Sequence, residues 1–172
     1  MSETCELKIY SPIYGVLTVL YDAADADKVE PYRWHVCKAN NTFYARRQIP
    51  RNGSPKRKTG IQMHRAILDT PKGMFTDHIN GNGLDNRRSN IRICSMSENM
   101  ANRSKTVQNS TGYKGVYKVG GSKTNPYIAK IQKNKKVYCL GSFPTKEEAA
   151  RAYDKKALEL HGEFAKLNFE YP

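Results

Sequence analysis

Cysteines and long apolar runs are scarce in this chain of 172 residues. The four cysteines, Cys5, Cys37, Cys94 and Cys139, lie far apart, without the paired spacing of a zinc site or the density of a disulfide framework. No secretory signal and no run long enough to span a membrane is found. We therefore expect reduced structural thiols in an intracellular protein.

Acidic residues are also scarce, and they are unevenly distributed. The chain has 29 Lys and Arg against 16 Asp and Glu, for a net charge of +13. No acid lies between Glu98 and Glu147, a stretch that carries ten Lys or Arg, whereas residues 1–30 have a net charge of −4. This bias predicts a polyanionic partner, with nucleic acid as the leading candidate. The absence of a long amphipathic helix with a bulky apolar face argues against a membrane surface.

The first 60 residues have the pattern of a small β-rich module. Apolar and aromatic runs predict strands at residues 7–10, 14–21, 32–36 and 42–46. The acidic stretch at 22–30 predicts a loop or a short helix, and Trp34 is expected in the core. The basic run Arg51–Lys58 fits either a solvated loop or a phosphate-contacting arm. Residues 62–68 then predict a helix, in which His64 is a packed polar residue, a support for the site or a DNA contact.

The central stretch combines an acid, a histidine and several asparagines. A short apolar strand leads into Asp77-His78, and the Asn and Gly residues at 80–83 predict a turn. Residues 91–94 alternate as a half-buried strand does, and Ser95-x-x-Glu98 is the capping box of a following helix. The order strand, loop, strand and helix allows Asp77, His78 and Asn99 to converge.

These residues resemble the HNH nuclease family with its ββα-metal fold, over roughly residues 63–103. The resemblance implies that Asp77 and Asn99 bind one divalent ion, that His78 is the general base, and that Asn90 holds the loop that orients it. Two oxygen donors favour Mg²⁺ over Zn²⁺, and Mn²⁺ is possible. Histidine is suited to removing a proton from water near neutral pH, and a cation offsets charge on a phosphate and its leaving oxygen.

The pattern changes again after residue 111. Alternating segments at 113–118, 127–132 and 136–143 predict three strands, with a turn at Asn134-Lys135. Thr145-x-x-Glu148 predicts the start of a helix that runs to about Leu160 and ends at Gly162. We therefore expect a first domain at 1–103, a basic linker at 104–111 and a second domain at 112–170.

The second domain resembles the DNA-binding domain of plant Apetala and ethylene-response factors. The likeness rests on the phrases at residues 113–116, 140–143, 148–154 and 167–169. It implies that one sheet face enters a DNA groove, although Val137 cannot donate a hydrogen bond, so the plant target site is not carried over. The predicted DNA contacts over both domains are Arg65, Arg87, Arg88, Arg92, Arg103, Lys105, Lys114, Tyr117, Lys118, Lys130, Gln132 and Tyr138.

The sequence thus predicts an α+β fold, in which a β-rich module leads into a ββα-metal nuclease core, followed by a three-stranded antiparallel sheet packed on one helix. The predicted function is that of a monomeric HNH endonuclease of homing type, encoded by a mobile element, that nicks double-stranded DNA in a bacterial or phage-infected cell. A DNA-binding regulator without catalysis is the alternative. An RNA-binding protein would share the same charge distribution.

Overall fold

A computed structural model describes residues 3–39, 42–51, 54–103, 109–121 and 123–171, without the side chains of 51 and 54–58. It confirms the α+β class, with small antiparallel sheets and short helices. Contacts divide the chain into two compact units, Met1–Ser95 and Met96–Pro172. The expected first domain ends later, at Arg103, and that domain assignment stays a prediction. No helix in the described ranges is long and apolar enough to cross a membrane.

The N-terminal unit consists of three antiparallel sheets and two short helices. The strands form the hairpin β1–β2, the three-stranded sheet β3–β4–β5 and the hairpin β6–β7. The strands are β1 Thr4–Ser11, β2 Gly15–Asp22, β3 His35–Ala39, β4 Thr42–Arg51, β5 Ser54–Gln62, β6 Phe75–His78 and β7 Ile91–Cys94. The helices are α1 Ala26–Val29, preceded by a 3₁₀ turn at Ala23–Asp25, and α2 Met63–Ile67.

The core of this unit lies between the sheets and the two helices. Val19, Val29 and Met63 have no exposed surface, and Trp34 is 6% exposed. The Trp34 Nε1 donates to the Val29 carbonyl at 2.8 Å, so the indole is buried with its one polar group satisfied. The expectation that Trp34 is a core residue is therefore confirmed, as is the helix that precedes the central motif.

Within the described residues, the basic segment Arg51–Lys58 lies in strands and not in a loop, and its predicted contact with phosphate stays a prediction. Strand β4 continues to Arg51 and β5 begins at Ser54, with Pro50 paired to Lys58 across the ladder. Gly53 and Pro55 had suggested a loop. A proline is tolerated near the start of an edge strand, so Pro55 is compatible with β5.

The C-terminal unit is a three-stranded antiparallel sheet, in the order β10–β9–β8, with a long helix on one face. Its elements are α3 Met96–Asn102, β8 Val116–Lys118, β9 Tyr127–Lys133, β10 Lys136–Phe143, α4 Lys146–His161 and a 3₁₀ turn at Gly162–Phe164. The core contains Val116, Ala129 and Ile131 of the sheet and small or aromatic side chains of α4. Alanines at this interface let the helix lie close to the strands.

The turns and caps of this unit form where the sequence predicts them. Asn134 and Lys135 have φ of 49° and 66°, the left-handed pair of a tight hairpin turn. The Thr145 hydroxyl accepts a hydrogen bond from the Glu148 N–H at 3.2 Å, which begins α4, and Gly162 ends it with φ 53°. Gly115 is required by packing, because a Cβ there would lie 2.1 Å from the Tyr153 ring.

Candidate catalytic site

The β6–β7 hairpin brings the predicted residues of the N-terminal unit together. In its register Asp77 is opposite Arg92 and His78 is opposite Ile91, and Asn90 directly precedes β7. Asp77, His78 and Asn90 are only 7%, 5% and 7% exposed. Three polar side chains are therefore held below the surface, where their positions are set by neighbouring groups.

The side chain of Asn90 holds the loop between the two strands. Its Oδ1 accepts the Asn80 N–H at 3.0 Å and its Nδ2 donates to the Asp85 carbonyl at 2.8 Å, while the Asn90 carbonyl accepts the Ile79 N–H. One amide thus bridges the two ends of a loop that starts directly after His78. The predicted loop-holding role of Asn90 is consistent with these bonds, and its effect on catalysis stays a prediction.

The far side of the same loop is fixed to β2 and β4. Asn86 donates its N–H to the Leu20 carbonyl at 2.7 Å, and Leu20 donates to the Leu84 carbonyl at 2.8 Å. Gly83 lies directly against β4, since a Cβ there would be 2.4 Å from the Phe43 carbonyl oxygen. The loop is consequently part of the folded core and not a flexible surface turn.

Arg87 makes a two-pronged ion pair with Asp85 inside this loop. Its Nε and Nη2 lie 2.7 and 2.8 Å from the two carboxylate oxygens, and Asn80 Nδ2 donates to the same carboxylate at 3.0 Å. Hydrogen bonds from Arg87 lower the pKa of Asp85, so this carboxylate is ionised at neutral pH. Asp85 is 3% exposed, and its charge is therefore compensated where it is buried.

His78 is oriented by a second asparagine, Asn86. The distance between His78 Nε2 and Asn86 Oδ1 is 3.3 Å, and Asn86 has no exposed surface. A carbonyl oxygen accepts, so Nε2 carries the proton and Nδ1 carries the lone pair. Burial is the largest influence and lowers the pKa of His78, which keeps the ring neutral near pH 7. A neutral imidazole with an oriented lone pair is the form that can accept a proton.

Two aromatic neighbours of His78, His64 and Tyr44, complete its surroundings. The rings of His64 and His78 are 4.6 Å apart and nearly perpendicular, and the Tyr44 ring lies 5.7 Å from His78. Burial lowers the pKa of His64 to about 3, so it contributes no charge beside the base. Of the alternatives for His64, packing against His78 is the one observed. The sequence did not predict that Tyr44 lies at the site. The alternation of side chains along its strand was the only signal, and it does not show which face of the strand contacts the site.

The two predicted metal ligands differ in what surrounds them. Asp77 accepts from Arg92 Nε and Nη2 at 3.3 and 3.1 Å, and Arg92 is mostly buried there. Asn99 lies half-buried on α3, and no hydrogen bond of its side chain is found within the described ranges. A carboxylate oxygen and an amide oxygen are a donor set that fits Mg²⁺. Because α3 belongs to the C-terminal unit, the joint binding of one ion stays a prediction.

The predicted DNA-contacting arginines of this unit are mostly engaged in contacts with the protein itself. Arg87 binds Asp85, Arg92 binds Asp77, and Arg88 binds Asp25 through two bonds of 2.8 and 2.6 Å. Arg65 donates to the Met74 carbonyl at 3.0 Å. The mostly buried Arg92 is better placed to orient Asp77 than to contact a phosphate, while the half-exposed Arg87 and Arg88 retain accessible surface.

The outer face of the C-terminal sheet carries three of the predicted contacts. Ala129 and Ile131 face α4, so Lys130 and Gln132 point the other way, and both are exposed. Tyr117, opposite Ile128 in the register, is 55% exposed on the same face. Tyr117, Lys130 and Gln132 therefore form one accessible surface, and their contact with DNA stays a prediction.

Three other predicted contacts of this unit, Tyr138, Lys118 and Lys114, do not lie on that outer face, and their contact with DNA stays a prediction. Tyr138 is opposite the buried Ile131 and packs on the α4 side, because adjacent strand residues such as Val137 and Tyr138 face opposite ways. Lys118 lies two residues after the buried Val116, so both side chains point to the same side of the sheet. Lys118 is exposed because it is at the end of the strand, and it does not share the outer face.

Lys114 lies before β8, and its ammonium donates to the Ala101 carbonyl. The strand begins at Val116, three residues later than predicted, which removes Lys114 from the sheet face. Burial lowers the pKa of Lys114 to about 8, with smaller contributions from Lys166 and Arg103. Arg103 itself is exposed, and Lys105 lies outside the described residues.

Comparison with known proteins adds an independent finding about the same stretch. Residues 69–101, which contain Asp77, His78, Asn90 and Asn99, match the HNH endonuclease family. The chain is 36% identical over 114 residues to an uncharacterized HNH endonuclease of Acanthamoeba polyphaga mimivirus, covering 63% of this chain and 57% of that protein. It is 30% identical over 97 residues to Protein 3.8 of Escherichia phage T7, covering 56% of this chain and 78% of that protein. No solved structure matches. The chain thus spans less than two thirds of the mimivirus relative.

Proposed function

We propose, because residues 69–101 match the HNH endonuclease family, that the chain is a metal-dependent endonuclease that hydrolyses a phosphodiester bond of double-stranded DNA. The observation that carries this proposal is the buried arrangement of Asp77 and His78 on one strand, with the adjoining loop held by Asn90. The net charge of +13 provides the attraction to a polyanion that such an activity needs.

His78 is the general base in this proposal. Its Nε2 is directed to Asn86 Oδ1 at 3.3 Å, so Nδ1 accepts the proton of the attacking water. Burial keeps the His78 imidazole neutral before the reaction. Because the neighbouring His64 is uncharged, it does not repel the positive charge that forms on His78 when it takes the proton. Asn90 and the Asp85–Arg87 pair keep the loop rigid, which limits the positions the ring can adopt.

Asp77 and Asn99 are the residues that would hold a divalent ion. When bound, Mg²⁺ or Mn²⁺ offsets charge on the scissile phosphate and on the departing 3′ oxygen. Arg92 orients the Asp77 carboxylate through its two bonds to Oδ2. One such centre per chain supports nicking by a monomer, since a double-strand break needs a second event.

The C-terminal unit supplies affinity for the DNA site. Its sheet exposes Tyr117, Lys130 and Gln132 on the face opposite α4, and lysine and glutamine side chains can reach base edges or phosphates. The proposal that this unit is a DNA-binding domain like that of plant Apetala and ethylene-response factors is supported by its sequence phrases at residues 113–116, 140–143, 148–154 and 167–169. A nuclease joined to such a unit fits the homing enzymes of mobile elements, acting inside a bacterial or phage-infected cell.

Removal of the metal tests this function. Purified protein with Mg²⁺ is expected to convert supercoiled plasmid to the open-circular form, and EDTA is expected to stop the conversion because Asp77 and Asn99 cannot supply positive charge themselves. Gel electrophoresis of a time course measures both. Binding of plasmid without nicking under Mg²⁺ or Mn²⁺ would instead support the regulator, and preference for an RNA competitor would support an RNA-binding protein.

A further inference from the structure

Two arginines near the start of the β3–β4–β5 sheet differ from Arg87, Arg88 and Arg92. Arg87, Arg88 and Arg92 each pair with an aspartate, whereas Arg33 and Arg47 have no carboxylate partner among the described residues. Arg33 is exposed and Arg47 is half-buried. Charges that the fold does not neutralise internally are available for an external anion.

Arg47 is held in place by aromatic stacking. Its Cζ lies 3.5 Å from the centroid of the Tyr32 ring and 5.5 Å from that of Trp34. Trp34 is itself fixed by its bond to the Val29 carbonyl. A guanidinium stacked on one aromatic ring and flanked by an anchored one loses less conformational freedom on binding a ligand than a solvated arginine does, which favours binding.

The Nε–H of Arg47 is buried and has no acceptor within the described part of the chain. A buried donor without a partner is costly unless water or a ligand supplies the acceptor. Arg47 also borders a cavity of about 300 Å³ that is lined by Tyr32, Arg33, His35 and Gln48 and by no acidic residue. Arg47 and Tyr32 also border a second cavity of about 460 Å³, which is lined by Asp27 and Asp69, so the acid-free cavity is the one better suited to an anion.

We propose that Arg47 and Arg33, at this acid-free cavity, bind a backbone phosphate of the duplex DNA. A guanidinium fork matches the geometry of two phosphate oxygens, and His35 and Gln48 can add hydrogen bonds at the rim. This contact is separate from the outer face of the C-terminal sheet and from the cutting residues. It rests on the proposed function only in taking DNA as the partner.

The test measures equilibrium binding of a short duplex in EDTA over a range of KCl concentrations, so that cutting plays no part. Arg47→Met retains aliphatic packing on Tyr32, and it is expected to reduce the slope of log K against log[KCl] by about 0.9, the loss of one phosphate contact. Arg33→Met is expected to do the same. Lys8→Met, which removes an exposed charge on β1, is the matched control and should leave the slope unchanged.

A folded Arg47→Met protein with the wild-type slope would overturn the proposal. If that variant fails to fold, Arg33→Met decides, because Arg33 is exposed and no packing contact of its side chain is described. Millimolar inorganic phosphate that stabilises the wild type but not Arg47→Met, with identical DNA slopes, would assign a free-anion site and also overturn it. A wild type that binds DNA but never nicks it would refute the endonuclease, while the phosphate contact would stand.

Discussion

Replacing His78 with alanine is expected to lower the rate of plasmid nicking by about 10²–10⁴-fold, the usual contribution of a general base. The His78 ring is 5% exposed, and its Nε2 is directed to Asn86. The ring fills its site, so no other described side chain takes the position of the base. His64 cannot replace it, because burial lowers the pKa of His64 to about 3 and its ring packs edge-on against His78.

The measurement is the initial nicking rate at saturating protein, together with the affinity for DNA in EDTA. Affinity is expected to stay close to that of the wild type, since the imidazole acts on water and not on the DNA site. His161→Gln, a half-buried histidine at the end of α4, is the matched control and should keep the nicking rate. A His78→Ala rate within a few fold of the wild type would remove His78 from the mechanism.

Replacing Asp154 with alanine is expected to destabilise the C-terminal unit by about 3–5 kcal/mol, because a fully buried carboxylate with several donors is lost. Asp154 has no exposed surface. It accepts from the Asn168 and Phe169 N–H groups at 2.8 and 3.0 Å, from Asn168 Nδ2 at 3.0 Å and from the Tyr171 hydroxyl at 3.2 Å. This one side chain therefore fastens the C-terminal segment to α4.

Urea unfolding of the full chain measures the loss in the free energy of unfolding, and hydrogen exchange of the α4 amides assigns that loss to the C-terminal unit. Site affinity for DNA should decline with it, because the sheet that carries Lys130 and Gln132 packs on the same helix. Glu159→Ala on the exposed side of α4 removes only a surface ion pair with Lys156, worth about 0.2–1 kcal/mol. An Asp154→Ala protein as stable as the Glu159→Ala protein would show that Asp154 does not fasten the C-terminal segment to α4.

Local signals in the sequence were sufficient to predict most of the helices, strands and turns. The start of α4 with the Thr145 hydroxyl as its N-cap, the Asn134-Lys135 turn and the Ile91–Cys94 strand depend on residues within a few positions of each other, and each forms as predicted. The spacing from Asp77-His78 to Asn90 likewise reflects one hairpin with one loop. Such features are decided locally and can be read from a single chain.

Features that depend on distant partners could not be predicted. Arg88 pairs with Asp25, 63 positions away, and Tyr44 reaches His64 and His78 only through the fold of β4 against α2 and β6. A run of basic residues in sequence does not reveal which charges the fold will neutralise. The sequence therefore pointed to Arg92 as a DNA contact, whereas Arg33, which it did not select, has no acidic partner among the described residues.

The side-chain direction on β10 shows the same limit on a smaller scale. Its register with β9 changes between Cys139 and Gly141, so the pairing along the strand is not uniform. Alternation nevertheless requires Val137 and Tyr138 to face opposite sides, and burial against Ile131 decides which of them is outside. Matching residue positions to the sheet of the plant DNA-binding family does not show which of these two side chains faces outward.

The central claim is that Asp77 and Asn99 bind one divalent ion beside His78. Mn²⁺ binding to the DNA complex of His78→Ala, followed by the EPR signal of free Mn²⁺, tests it most directly because the DNA stays uncut. We predict one bound ion per chain, with affinity reduced at least about 10-fold when Asp77→Asn or Asn99→Ala is added, and unchanged when the exposed Asp69→Asn is added instead. Equal Mn²⁺ affinity in all four proteins would contradict the claim.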